Sequence, residues 1–260
     1  MERALLLPAV LVASTLAGCV SETVNLSQGR QVADVTFEPA QAAQARMNLG
    51  LAYLRQGNTG QAKFNLERAL EQDDSNPDVY LALAYFYQTV AEYDKAEQHY
   101  QQVLRLDPQH GDGLNNYGAF LCAREQFARA DVMFSRAMAA SGYARVADTL
   151  ENAALCAVKN GRESAAREYY RRALEYSPDR QQVLLGLAGL ELERNEPAMA
   201  RVYLERYQQQ HAPSAQSLWL MVQSANALGL RAQSRETGAE LVRLFPDSEQ
   251  AERFLTHDNE

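Results

Sequence analysis

NPDVYLALAYFYQTVAEYDKAEQHYQQVLRLDPQ, running from Asn76 to Gln109, carries a pattern that shifted copies repeat on either side. With Pro77 as position 1, Tyr80 falls at 4, Leu83 at 7, Ala84 at 8, Tyr87 at 11, Ala96 at 20, Tyr100 at 24 and Pro108 at 32. Bulky residues at 4, 7, 11 and 24 fill the space between two antiparallel helices. Small ones at 8 and 20 let the backbones approach to about 8–10 Å. Pro108 closes the second helix, because it has no amide hydrogen to give to the preceding turn.

This is the 34-residue tetratricopeptide (TPR) spacing, and it predicts six units, 43–76, 77–110, 111–144, 147–180, 181–214 and 215–248. The first carries Leu49, Gly50 and Tyr53 at 7, 8 and 11, and the third carries Tyr117, Gly118 and Leu121 there. Arg145 and Val146 are two extra residues that shift the phase before Ala147. The later units are less regular: Glu191 replaces an aromatic, and Ser234 and Gly238 stand where alanine and a bulky residue recur elsewhere. The expected architecture is all-α, a right-handed superhelical solenoid of six tetratricopeptide repeats over 41–248. Residues 249–260 follow as a polar tail with a short capping turn through Phe254 and Leu255. The competing reading is a generic helical bundle.

A length of 260 residues would suit one or two globular domains, but a fixed period points to one elongated stack. Extended β-branched runs are scarce, which favours helices. The formal charge of −8 argues against a phosphate-tracking surface, so nucleic acid is not an expected partner. No HExxH, GxSxG, GxGxxG or phosphate loop is present, and His99, His110, His211 and His257 lack metal-ligand spacing. The chain is therefore read as a non-enzyme, with no catalytic residues, cofactor or metal.

At the start, one arginine, an apolar run from Ala4 to Leu16 and small residues before a cysteine form a secretory-type segment, too short to span a bilayer. Leu16-Ala17-Gly18-Cys19 resembles the bacterial lipobox. The resemblance implies that 1–18 are a lipoprotein signal peptide and that Cys19 is lipidated. Val20, rather than aspartate, follows the cysteine, which in this class favours the outer membrane. A generic signal peptide or a short buried helix are the other readings. Residues 19–40 have no helical stripe and are read as a tether.

With Cys19 assigned to lipid, Cys122 and Cys156 remain, in adjacent units near the middle of first helices. Equivalent faces of neighbouring first helices stack side by side, so a bridge is geometrically feasible; two small buried thiols are the alternative. Positions 2, 5, 9, 12 and 13 of first helices are expected to line a concave surface. There Met47, Leu51, Leu54 and Leu81, beside Tyr85, form an apolar strip suited to a hydrophobic helix or strand. The competing reading has the N-terminal linker folding back over Met47, Leu51 and Leu54.

The runs MNLGLAYLRQGN (47–58), AKFNLERAL (62–70), NNYGAFLC (115–122) and ENAALCA (151–157), together with lipobox, tether and six repeats, carry a wider likeness. The sequence resembles the type IV pilus biogenesis and stability lipoproteins, the TPR-type pilotins. That resemblance implies an assembly factor, lipid-anchored at the periplasmic side of the outer membrane after passage through the lipoprotein sorting machinery. It would bind secretin subunits and promote their localisation and multimerisation for type IV pili and twitching motility. Asn115, Asn116, Cys122, Asn152 and Cys156 fall in the matching runs, as binding groups or as shapers of the scaffold. A lipoprotein scaffold that regulates a periplasmic cell-wall enzyme is the rival function.

Overall fold

A computed structural model describes residues 38–257; segment 1–18, Cys19 and the tether up to residue 37 lie outside them. The described residues form thirteen helices and no strand. Twelve of them make six pairs: α1 (Pro39–Arg55) with α2 (Thr59–Gln72), α3 (Pro77–Thr89) with α4 (Tyr93–Leu106), and α5 (Gly111–Ala123) with α6 (Phe127–Ala139). Then come α7 (Val146–Lys159) with α8 (Glu163–Tyr176), α9 (Gln181–Glu193) with α10 (Pro197–Gln210), and α11 (Ala215–Ala227) with α12 (Arg231–Leu244). A last helix, α13 (Glu249–His257), follows.

Local chemistry sets the starts. Asn76 accepts a hydrogen bond from the Asp78 amide with Pro77 in the first turn of α3, and Ser214 and Ser217 cap α11 reciprocally. Each pair is joined by a three-residue turn whose middle residue has positive φ: Gly57, Ala91, Glu125, Gly161, Asn195 and Gly229. That left-handed elbow reverses the chain six times at position 15 of the repeat.

Within a pair, the alanine at 20 is fully buried in five repeats, and the side chain at 24 fills the gap to the first helix: Leu66, Tyr100, Phe134, Tyr170 and Leu204. Glycine at position 8 makes room where it occurs, since a Cβ on Gly118 would lie 2.7 Å from the Phe134 ring. The sixth pair inverts this arrangement, with buried Val222 at 8 and Gly238 at 24. Phe254 of α13 fills the vacated space: its ring lies 2.1 Å from where a Gly238 Cβ would be. Glu191, in the place of the aromatic at 11, is buried with Arg167 Nε 3.1 Å away.

First helices pack on one another at α1–α3, α3–α5, α5–α7 and α9–α11, while no pair of second helices is among the packed pairs. The first helices are thus the crowded, inner side of the curve. The result is a superhelical TPR solenoid, whose inner wall is built from one face of α1, α3, α5, α7, α9 and α11.

Candidate functional site: the inner wall

A first helix has only one face left open once its partner and neighbours are packed. Positions 2, 6, 9 and 13 lie within about 60° of one another on a 3.6-residue helix, whereas 5 and 12 turn toward the adjacent first helix. This geometry corrects two expectations. Met47 and Leu54, at 5 and 12 of the first repeat, are each only 7% exposed and belong to the packed core. Leu51 and Leu81 are half-buried against that core, and Tyr85 is 48% exposed. Trp219, at position 5 of the sixth repeat, likewise packs against the terminal cluster rather than standing free on the wall.

Position 9 gives the row that does face outward: Leu51, Tyr85, Ala119, Leu155, Gly189 and Gln223. Leu155 is exposed at 51% and its neighbour Val158 at 43%. The space beyond Gly189 is open, with nothing within 4 Å of where a Cβ would stand. Large side chains at 51, 85 and 155 and small ones at 119 and 189 thus give a corrugated apolar strip along five successive first helices. Leu155 shares position 9 with Leu51 and Tyr85, and that shared position is the signal in the sequence that marks it.

Ion pairs, amide hydrogen bonds and a disulfide tie α5 to α7 along the wall. At the N-terminal ends of these helices, Arg145 pairs with Asp112 at 3.0 Å and with Asp148 at 2.6 Å, and Arg180 pairs with Asp148 at 2.6 Å and with Glu151. Burial works against ionisation of Asp148, but hydrogen bonds from Arg145 and Arg180 outweigh it and hold the carboxyl below its ordinary value. One turn further, Asn152 Nδ2 donates to Asn115 Oδ1 at 3.0 Å, and Asn115 Nδ2 donates to Asn116 Oδ1 at 3.3 Å. Beyond that, Cys122 and Cys156 are disulfide-bonded, with their Cα atoms 5.8 Å apart. At the far end Lys159 Nζ donates to the Ala123 carbonyl oxygen at 3.1 Å, where the last carbonyls of α5 favour a cation. Among the described residues no group of three or more His, Cys, Asp or Glu side chains is arranged to hold a metal ion, and no helix is long and apolar enough to cross a membrane.

Comparison with known proteins matches this architecture to two family models. The middle TPR-like domain of cilia and flagella-associated protein 70 covers residues 55–158, and the tetratricopeptide repeat covers 157–224. The chain is 31% identical over 248 residues to the type IV pilus assembly protein PilF of Pseudomonas aeruginosa, covering 94% of this chain and 95% of that one. It belongs to the PilF/PilW family of type IV pilus assembly proteins. The structure of P. aeruginosa PilF superposes with a TM-score of 0.74 at 32% identity, covering 84% of this chain and 99% of that one. The crystal structure of PilW, a widely conserved type IV pilus biogenesis factor, gives 0.73 at 29%, covering 83% and 99%. An inner wall with exposed apolar side chains fits the protein–protein interactions that TPR proteins mediate.

Proposed function

We propose that this chain is a pilotin: a lipoprotein, lipidated at Cys19 and anchored to the periplasmic side of the outer membrane, that binds secretin subunits and promotes their localisation and multimerisation. The near full-length similarity to PilF carries the pilus-assembly part of the reading. The apolar row on the inner wall supports a holding role, since exposed apolar side chains in a concave surface favour capture of another polypeptide. Leu51 and Tyr85 form its N-terminal end, with Leu81 half-buried against the core beside them and Met47 and Leu54 acting by packing beneath Leu51. In this scheme residues 1–18 address the chain and the stretch from Cys19 supplies reach as far as Glu38, two residues short of the expected 19–40 because Pro39 and Ala40 already form the first turn of α1; three acyl chains on Cys19, at about 0.8 kcal/mol per buried methylene, hold it at the bilayer.

Three variants separate address from grip. Cys19→Ser is expected to leave a helical protein in the soluble fraction, with secretin no longer concentrated in outer-membrane fractions. Tyr85→Ala and Leu51→Glu should keep the membrane fractionation and the far-UV circular dichroism but lower co-purification of secretin. Normal secretin multimers in the Cys19→Ser strain would rule out the lipid-address mechanism.

A further inference from the structure

Four of the five neighbouring pairs of first helices from α1 to α11 pack on one another, and α7 with α9 is the pair missing from the series. Side-chain exposure marks the same place. The Cys122–Cys156 bond shows that position 12 of one first helix faces position 10 of the next. Leu54, Gln88, Cys122 and Leu192 are buried or half-buried at position 12, but Val158 in the fourth repeat is 43% exposed. Across from it, α9 carries Gly189 with open space beyond. Two contacts hold this junction. Arg180, the residue before α9, reaches back to α7, with Nη2 2.6 Å from Asp148 Oδ1 and Nε donating to Glu151 Oε2. Behind the wall α9 rests on α8: a Cβ on Gly186 would stand 2.6 Å from the Tyr170 ring, and Glu191 is buried beside Arg167. Toward the elbows Lys159 turns the other way, to the Ala123 carbonyl and Glu125. Among the described residues, the ion pairs that join α7 to α9 all belong to Arg180.

We propose that the junction between the fourth and fifth repeats is a hinge, with the contact of Tyr170 on Gly186 as its fulcrum and Arg180 as its latch. The repeats up to α8 move as one block, because ion pairs, an amide hydrogen bond and a disulfide cross from α5 to α7 along its length. The helices from α9 to α13 move as the other, since α9 packs on α11 and α11 on α13. Rotation about the α8–α9 contact changes the separation of α7 and α9, and with it the curvature of the inner wall. Closing brings Leu155 and Val158 against the bare flank at Gly189, which burial of apolar surface favours. The Tyr170 ring limits the movement, because it leaves α9 no room to slide inward at Gly186. Arg180, Asp148 and Glu151 all keep some access to water, so the charges are solvated again when the latch parts and the movement is reversible. Leu51, Tyr85, Ala119 and Leu155 then lie on one block, and Gly189 and Gln223 on the other.

The test uses the purified full-length chain in detergent micelles, with nitroxide labels attached under non-reducing conditions so that the Cys122–Cys156 bond stays closed. The labels sit on cysteines at position 18, the exposed second residue of each second helix. Asp94→Cys with Ser164→Cys spans the α3–α5 and α5–α7 junctions; Ala128→Cys with Ala198→Cys spans α5–α7 and α7–α9. Pulsed electron paramagnetic resonance then gives a distance distribution for each pair. Adding Arg180→Gln is expected to widen the 128–198 distribution about twofold and to leave the 94–164 distribution as it was. Glu151→Gln removes a partner that Arg180 alone holds; it should act the same way, and it decides the matter if Arg180→Gln does not fold. Arg145→Gln strips ion pairs from the tied junction and should widen neither distribution. Unchanged 128–198 distances in every folded latch variant, equal widening of both pairs, or an effect of Arg145→Gln as large as that of Arg180→Gln would each overturn the proposal. Client binding does not enter the measurement, so its outcome leaves the pilotin reading where it stands.

Discussion

His110 holds two neighbours with one ring: Nδ1 accepts from the Gly113 amide at the start of α5, and Nε2 stands 3.2 Å from Asp78 Oδ1. The hydrogen bond with Asp78 raises the pKa of the ring above its ordinary 6.5, against an opposing effect of burial, and the same bond lowers that of Asp78 below 3.8. Protonation strengthens the contact with Asp78 but removes the acceptor that caps α5, and a charge-assisted hydrogen bond outweighs a neutral one. The raised histidine contributes stability that is complete below pH 6.5 and fades as pH climbs through its folded value. The lowered aspartate contributes stability that is complete above 3.8 and fades as pH falls through its folded value. The pair therefore helps most between roughly pH 4 and 6.5. Replacing Asp78 with Asn should bring the His110 titration, followed by NMR, to 6.5 or below; an unmoved titration would mean that Asp78 does not set it. The sequence announced none of this, because a histidine at a repeat end looks like solvated surface until the carboxylate 32 residues earlier is brought beside it.

The six elbows show which parts of an element can be read in advance. Gly57, Gly161 and Gly229 mark their turns openly, since only glycine takes a left-handed φ without cost. Ala91, Glu125 and Asn195 adopt the same backbone, with φ of 59°, 60° and 61°; asparagine tolerates that region, but nothing in the chemistry of Ala91 or Glu125 announces it. Their position in the repeat is the signal. Ala91 is exposed and carries a Cβ that crowds the following carbonyl. Ala91→Gly should thus raise the free energy of unfolding by about 0.5–1 kcal/mol, the strain relieved being partly offset by the greater freedom of glycine in the unfolded chain. Urea denaturation followed by circular dichroism measures it; a loss of stability would show that the elbow is not strained. The helices themselves were legible from the spacing of alanines and bulky residues. The open face of each first helix was legible only in part, because positions 5 and 12 look apolar and accessible on paper and are covered once α3 lies against α1.

Across the whole stack each pair touches chiefly the pairs before and after it, so damage stays local. The terminal pair depends on α13, whose Phe254 supplies the bulk that Gly238 lacks. Phe254→Ala should remove about 3 kcal/mol of local packing. Hydrogen exchange is then expected to speed up in α11 and α12 while the amides of α5 to α8 keep their protection; uniform acceleration would point to a single cooperative block. Gly238 had stood out in the sequence as an exception to the repeat, and the structure gives the reason: the missing side chain comes from further along the chain.

Glu249 opens α13 34 residues after Ala215 opens α11, the same step that separates the openings of α3 and α5 and of α9 and α11. Helix α13 is in the phase of a seventh first helix, and its Phe254 ring is the stopper in a socket left vacant for it. A copy of an inner module spliced in before that stopper would arrive in phase, but it would inherit the empty socket. Lengthening this spiral therefore requires restoring a bulky side chain at 238 in the same step, which makes the number of turns a heritable and discrete trait.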